Sequence, residues 1–159
     1  MFTQINYEGP IMDQYNALAK QLDALLTGET DCIANLSNAS ALLNQFLTNI
    51  NWVGFYISQG EELVLGPFQG LPACVRIPAG RGVCGTAVVK KETIVVKDVH
   101  AFPGHIACDA ASQSEIVIPL LKEGKVLGVL DIDSPITNRF SVDDQVGLEQ
   151  FVKTLLTHL

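Results

Sequence analysis

Apolar positions along this chain change period twice. Between Ile11 and Leu26 they fall at Ile11, Tyr15, Leu18, Leu22 and Leu25, the three- and four-residue spacing that lines one face of an α-helix. Pro10 suits a first-turn position and Gly28 stands just past the end. A second helix is predicted from Asp31, whose carboxylate can cap a first turn, with Ile33, Leu36, Ala39, Leu43 and Leu47 on one side until Asn49 and Asn51 end the pattern. From Trp52 the period becomes two. WVGFYIS, a turn at Gln59-Gly60 and ELVLGPF read as a β-hairpin, with Trp52, Gly54 and Tyr56 on one face of its first strand. Glycines and prolines then break the pattern from Gln69 to Gly85, where a long structured loop is expected until a short helix opens at Gly82-Val83. A strand is expected at Thr93–Val96, followed by a second irregular run, DVHAFPGHIACDAASQ.

The clearest stretch is Ser114 to Ser134. Two β-branched runs, Ile116–Leu121 and Val126–Leu130, flank Lys122-Glu123-Gly124-Lys125 and predict a central antiparallel hairpin. Its open end carries Glu115 on one strand and Asp131 and Asp133 on the other. The two aspartates share a face, because alternate side chains on a strand do. A plain two-residue turn would set Glu115 opposite Ile132 on the other face; a three-residue turn, or a bulge near Pro119, would set it opposite Asp133. The second arrangement is the one expected here. Ser141 then caps a last helix running to Leu156, with Asp144 completing a capping box. Terminal helices around a meander of antiparallel strands make an α+β domain: helices over 1–49, sheet and loops over 50–140, and a final helix over 141–159, all in one domain spanning 1–159.

Composition narrows the function. A chain of 159 residues with 48% hydrophobic and 17% charged residues can fill one sizeable core. A net charge of −7, from ten basic and seventeen acidic residues, argues against nucleic acid or an anionic membrane as partner and leaves a small ligand or another protein. The opening MFTQINYEGPIMDQYN has neither the basic nor the apolar region of an export signal, and no apolar run reaches the ~18 residues of a membrane helix. A cytoplasmic protein is expected, with its four cysteines reduced at rest.

Three of those cysteines, Cys74, Cys84 and Cys108, stand in the glycine-rich loops. They could be small buried hydrophobes. They could bind zinc, and His100 and His105 have a ligand spacing, but separations of ten and twenty-four residues between the cysteines lack the C-x₂₋₄-C knuckle of a structural site; no metal is expected. A redox cycle fits better: one thiolate becomes a sulfenic acid and a second thiol condenses with it to a disulfide. Such a cycle needs an acid for the departing oxygen. Clustered carboxylates supply one, since like charges in a cavity raise one pKa. Trp52 and Tyr56 are either core or an aromatic wall for a small apolar group.

NWVGFY, LVLGPFQGLPACVRIPAGRGVCGTA, DVHAFPGHIACDAASQSEIVIPL and GVLDIDSP resemble the free methionine-(R)-sulfoxide reductases, stand-alone GAF-domain enzymes, over about Asn51 to Asp144. The resemblance implies a six-stranded antiparallel sheet with helices on one side and a largely closed pocket on the other. It implies that Cys108 attacks the sulfoxide sulfur, that Cys74 resolves the sulfenic acid, and that Cys84 is a third thiol close by. Glu115 and Asp133 would hydrogen-bond and protonate the sulfoxide oxygen, Asp131 would face the substrate ammonium, Trp52 and Tyr56 would enclose the methyl group, and loop N–H groups would take the α-carboxylate. Thioredoxin would be the external reductant, with no cofactor. A site gripping both free charges of an amino acid rejects a methionine inside a polypeptide, because its own buried polar groups would be left unpaired. The apolar terminal helices fit a homodimer.

Two other readings predict different behaviour. A GAF ligand sensor without chemistry would tolerate Cys108→Ser, and a thiol redox sensor would respond to peroxide rather than to methionine sulfoxide.

Overall fold

The computed structural model describes residues 1–159. Its elements are α1 (Ile11–Leu26), α2 (Cys32–Phe46), β1 (Trp52–Gln59), β2 (Glu62–Gly70), β3 (Arg76–Pro78), α3 (Gly82–Lys90), β4 (Ile94–Val96), a 3₁₀ turn at Val99–Ala101, β5 (Ser114–Lys122), β6 (Lys125–Ser134) and α4 (Val142–Leu156). Six antiparallel strands form one sheet in the order β3-β2-β1-β6-β5-β4. The strands are not a sequential meander. The hairpins β1-β2 and β5-β6 join through β1 and β6, so Trp52 lies beside Asp133.

Alternation along the strands gives the sheet two unlike faces. Val53, Phe55, Ile116, Ile118, Leu130 and Ile132 point toward α1, α2 and α4 and are buried with Leu18, Leu22, Leu43, Leu148 and Phe151. Each such side chain contributes roughly 1.5–3 kcal/mol on leaving water. This is the main core. The opposite face carries Trp52, Tyr56, Val117 and Val129 under α3 and the long loops, and the carboxyl groups fall in the same alternation.

Several local expectations are corrected. The first hairpin turns at Gly60-Glu61, since Gln59 already pairs with Glu62. The stretch before α3 is not wholly irregular: Arg76–Pro78 pairs with Glu62–Val64 as an edge strand, too short to leave a periodic signal. Helices do not all lie on one side, for α3 covers the second face against β5 and β6. Ile11 and Ile33, assigned to buried stripes, are exposed, while Ala19 and Leu42 take the inward positions. The caps at Asp31 and Ser141 form as expected, the latter as a complete capping box.

The central hairpin has both a two-residue turn and a bulge. Lys122 pairs with Lys125 across Glu123-Gly124, both at positive φ, as a type I′ turn requires. Leu121 pairs with Val126 but Leu120 pairs with Gly128, leaving Leu127 extra. That single residue sets Glu115 opposite Asp133 instead of Ile132. Gly128 belongs beside the bulge, because a Cβ there would lie 2.2 Å from the Tyr56 carbonyl oxygen.

Candidate active site

The strand register lays out the floor of the site in rows. Trp52, Asp133 and Glu115 are neighbours across β1, β6 and β5; Gly54, Asp131 and Val117 form the next row and Tyr56, Val129 and Pro119 the third. Gly54 leaves space where a side chain cannot fit, since its Cβ would meet that of Phe68 at 2.3 Å. Phe68 therefore stacks on Trp52 with ring centroids 5.2 Å apart, and Trp52 stacks in turn on Tyr56 at 5.8 Å. The stacked rings of Trp52 and Tyr56 both line the hollow over the sheet.

Residues near the start of β1 also hold both loops. The Trp52 indole Nε1–H donates to the Leu71 carbonyl at 3.1 Å, and the Tyr56 hydroxyl donates to the Cys74 carbonyl at 2.9 Å. Asn51 Nδ2 donates to Asp109 Oδ2 at 2.9 Å and to Ser112 Oγ at 3.1 Å. The first loop carries Cys74 and the second Cys108, and these two cysteines are joined in a disulfide with Cα atoms 5.5 Å apart. Four thiols at rest were expected; the chain is held here in a disulfide form, with Cys84 buried and free and Cys32 exposed and free.

Beneath the disulfide lies a narrow hollow of about 30 Å³, enough for a water molecule or two. Its walls include Trp52, Tyr56, Cys84, Cys108 and all three carboxyl residues. Glu115 and Asp131 are 5% and 6% exposed, and Asp131 Oδ1 has no hydrogen-bond partner in the protein. Burial, reinforced by the charge of Asp133, pushes the Glu115 carboxyl up to about 8. Burial likewise pushes Asp131 and Asp133 well above the usual carboxylate range, with the neighbouring acids adding to it. The Cys84 thiol is pushed up by burial and by Asp131. Cys84 Sγ and carboxyl oxygens of Glu115 and Asp131 lie within 4.8 Å of one another, close enough to meet a cation. Their raised pKa values favour a neutral, proton-holding cluster instead.

A family model for the GAF domain matches residues 31–159. The free methionine-R-sulfoxide reductase of Escherichia coli is 56% identical over 141 residues, 89% of this chain and 86% of that protein. The X-ray structure of the Neisseria meningitidis free methionine-R-sulfoxide reductase in complex with its substrate superposes with a TM-score of 0.94 at 42% identity, over 99% of this chain and 95% of that one. The reduced form of fRMsr from Staphylococcus aureus gives 0.89 at 59% identity, over 91% and 94%. The chain belongs to the free methionine-R-sulfoxide reductases.

In this reductase the eight site residues anticipated from sequence, Trp52, Tyr56, Cys74, Cys84, Cys108, Glu115, Asp131 and Asp133, all border or overhang one hollow. His105, weighed from sequence only as a zinc ligand, lines it too, as do Arg81, Asp109 and Ser112, which the sequence gives no role. Their signal was their position in the two cysteine loops. The zinc-like pairing of His100 with His105 does not form a common site: His100 is exposed in the 3₁₀ turn, whereas His105 reaches within 3.7 Å of Glu115.

Proposed function

We propose that this chain reduces free methionine-(R)-sulfoxide to methionine with Cys108 as the attacking thiolate and Cys74 as the resolving thiol. The observation that carries the reading is the Cys74–Cys108 disulfide over a floor of proton-holding carboxyl groups. The thiolate of Cys108 attacks the sulfoxide sulfur while Glu115, with Asp133 beside it, gives a proton to the sulfoxide oxygen. The oxygen passes to sulfur 108 as a sulfenic acid and methionine leaves with the electron pair. Cys74 then attacks that sulfur; its proton and the hydroxyl depart as water, and the disulfide forms. An external dithiol such as thioredoxin reduces it. Two thiols thus supply both electrons, and the cycle needs no cofactor.

The unpaired Asp131 oxygen supports a role in receiving the substrate ammonium, and the Trp52–Tyr56 wall offers the methyl group an apolar surface. Loop N–H groups would take the α-carboxylate. With the methyl wall, the acids and sulfur 108 fixed, only one hand of sulfoxide places its oxygen on the acids. Cys84, buried and with its thiol pKa pushed up, is a poor nucleophile at neutral pH. The need for a dithiol donor supports a cytoplasmic setting, where thioredoxin-type reductants keep thiols reduced. No helix is long and apolar enough to cross a membrane. Exposed Ile5, Ile11 and Ile33 on the N-terminal segment and helices support a homodimer.

The test is thioredoxin-coupled reductant consumption with the free R sulfoxide, the free S sulfoxide and a peptide-bound sulfoxide. Turnover of the free R form alone is expected. Equal rates on all three would remove the recognition argument, and full activity in Cys108→Ser would remove the chemistry.

A further inference from the structure

Glu115 shares a side-chain hydrogen bond with Asp131 and lies near the Tyr56 hydroxyl. Asp131 and Asp133 approach it from β6, Cys84 from α3 and His105 from the loop ahead of Cys108, while its partner on β4 is Val96. The first three are themselves acids whose pKa values are raised, so His105 supplies the basic side chain against it. His105 Nε2 lies 3.7 Å from Glu115 Oε2, with the imidazole 15% exposed and the glutamate side chain 7%. Less than 1 Å of movement brings the pair to hydrogen-bond distance. Burial lowers the His105 pKa, so the ring is neutral at neutral pH and carries one N–H. His105 also stands three residues before Cys108 on the same loop, which makes its contact with Glu115 a tie between the loop bearing the nucleophile and the strand bearing the acid.

We propose that His105 is a positioning residue for the reduction: its Nε2–H donates to Oε2 of Glu115, which leaves the carboxyl proton on Oε1, aimed at the sulfoxide oxygen. As Glu115 gives up that proton, the Nε2–H···Oε2 bond becomes a bond to a full carboxylate and strengthens, so the imidazole stabilises the transition state more than the ground state. One proton moves, from Glu115 to the sulfoxide oxygen; the electron pair comes from sulfur 108, and His105 keeps its own proton. The inference rests on Glu115 being the acid.

The experiment compares wild type, His105→Leu, His105→Gln, Glu115→Gln and the double variant His105→Leu/Glu115→Gln. Single-turnover formation of the Cys74–Cys108 disulfide from the reduced enzyme is followed against free R sulfoxide across pH. His105→Leu is expected to lower the maximal rate roughly 10- to 100-fold, the worth of a hydrogen bond to a charged group, with half-saturation within about twofold of wild type. Its alkaline limb is expected at higher pH, since a donor lost from the carboxylate favours the protonated form. His105→Gln, which can still present an N–H, is expected to restore most of the rate. Adding His105→Leu to Glu115→Gln is expected to cost little more. The inference is overturned if His105→Leu keeps a near-wild-type rate, if its loss lies wholly in half-saturation, if Gln restores nothing, or if the two substitutions multiply in full. Should Glu115→Gln itself keep full activity, the reading of Glu115 as the acid fails instead.

Discussion

Glu115 and Asp133 are direct partners across β5 and β6, two carboxyl groups side by side at the foot of the loop that carries Cys108. Burial and this adjacency together hold Glu115 protonated up to about pH 8, where an ordinary glutamate would be ionised. A buried acid pair of this kind is costly to the fold and useful to a reaction that must protonate an oxygen.

Stability should carry the signature of that cost. In the unfolded chain Glu115 titrates at about 4.3; in the folded protein it titrates at about 8. Between those values the folded state holds a proton the unfolded chain has released, so the Glu115 contribution is fully present below the lower value and is lost as pH rises to the higher. The raised Asp131 and Asp133 act with the same sign. The unfolding free energy of the wild type, from urea titrations, is expected to fall from about pH 5 to about pH 8, and Glu115→Gln to flatten that fall by on the order of a few kcal/mol. A free energy that climbs over this range would contradict the assignment.

Asp133→Asn should move the acid itself. Removing the neighbouring charge takes away a cause that raises Glu115, so its carboxyl, followed by ¹³C chemical shift, is expected to titrate at lower pH than in the wild type. An unchanged or higher value would mean that the two groups do not interact.

The cysteines should separate by product. Cys74→Ser is expected to yield one equivalent of methionine and a dimedone-trappable sulfenic acid at Cys108, while Cys108→Ser yields neither. Cys84→Ala should still form the Cys74–Cys108 disulfide, seen as a cross-linked peptide by mass spectrometry. Trapping at Cys84 in place of Cys108 would reverse the roles.

Asn51 ties the Cys108 loop to the sheet through Asp109 and Ser112. Asn51→Ala should cost ~1–2 kcal/mol of local stability and speed amide exchange across residues 98–113 without comparable change in α1 or α4. Uniform acceleration over the whole chain would point to global destabilisation instead.

Gly54→Ala places a Cβ 2.3 Å from that of Phe68, within a packed aromatic stack. The expected cost is ~1–3 kcal/mol from overpacking, with an altered emission of Trp52, the sole tryptophan. Unchanged emission and stability together would show that the strands part easily there.

Much of this molecule is written in local pattern. Helices with their caps at Asp31 and Ser141, the two long hairpins and the shared face of Asp131 and Asp133 follow from side-chain period and turn chemistry, which act between residues a few positions apart. The three-residue strand β3 left no such trace, because its pairing with Glu62–Val64 is what makes it a strand.

The sequence alone thus determined the helices, the hairpins and the chemical types of the site: three thiols in glycine-rich loops, three acids at a strand end and an aromatic strand. Tertiary structure decided which of them meet. One extra residue, Leu127, turned Glu115 onto the face of Asp133, and the pairing of β1 with β6 brought Trp52 to the same row. Loops tied down by Asn51, Trp52 and Tyr56 brought together sulfurs 34 residues apart. Register and loop closure are sums over many distant contacts, and periodicity, which reports only which way a side chain faces within its own element, carries no term for them.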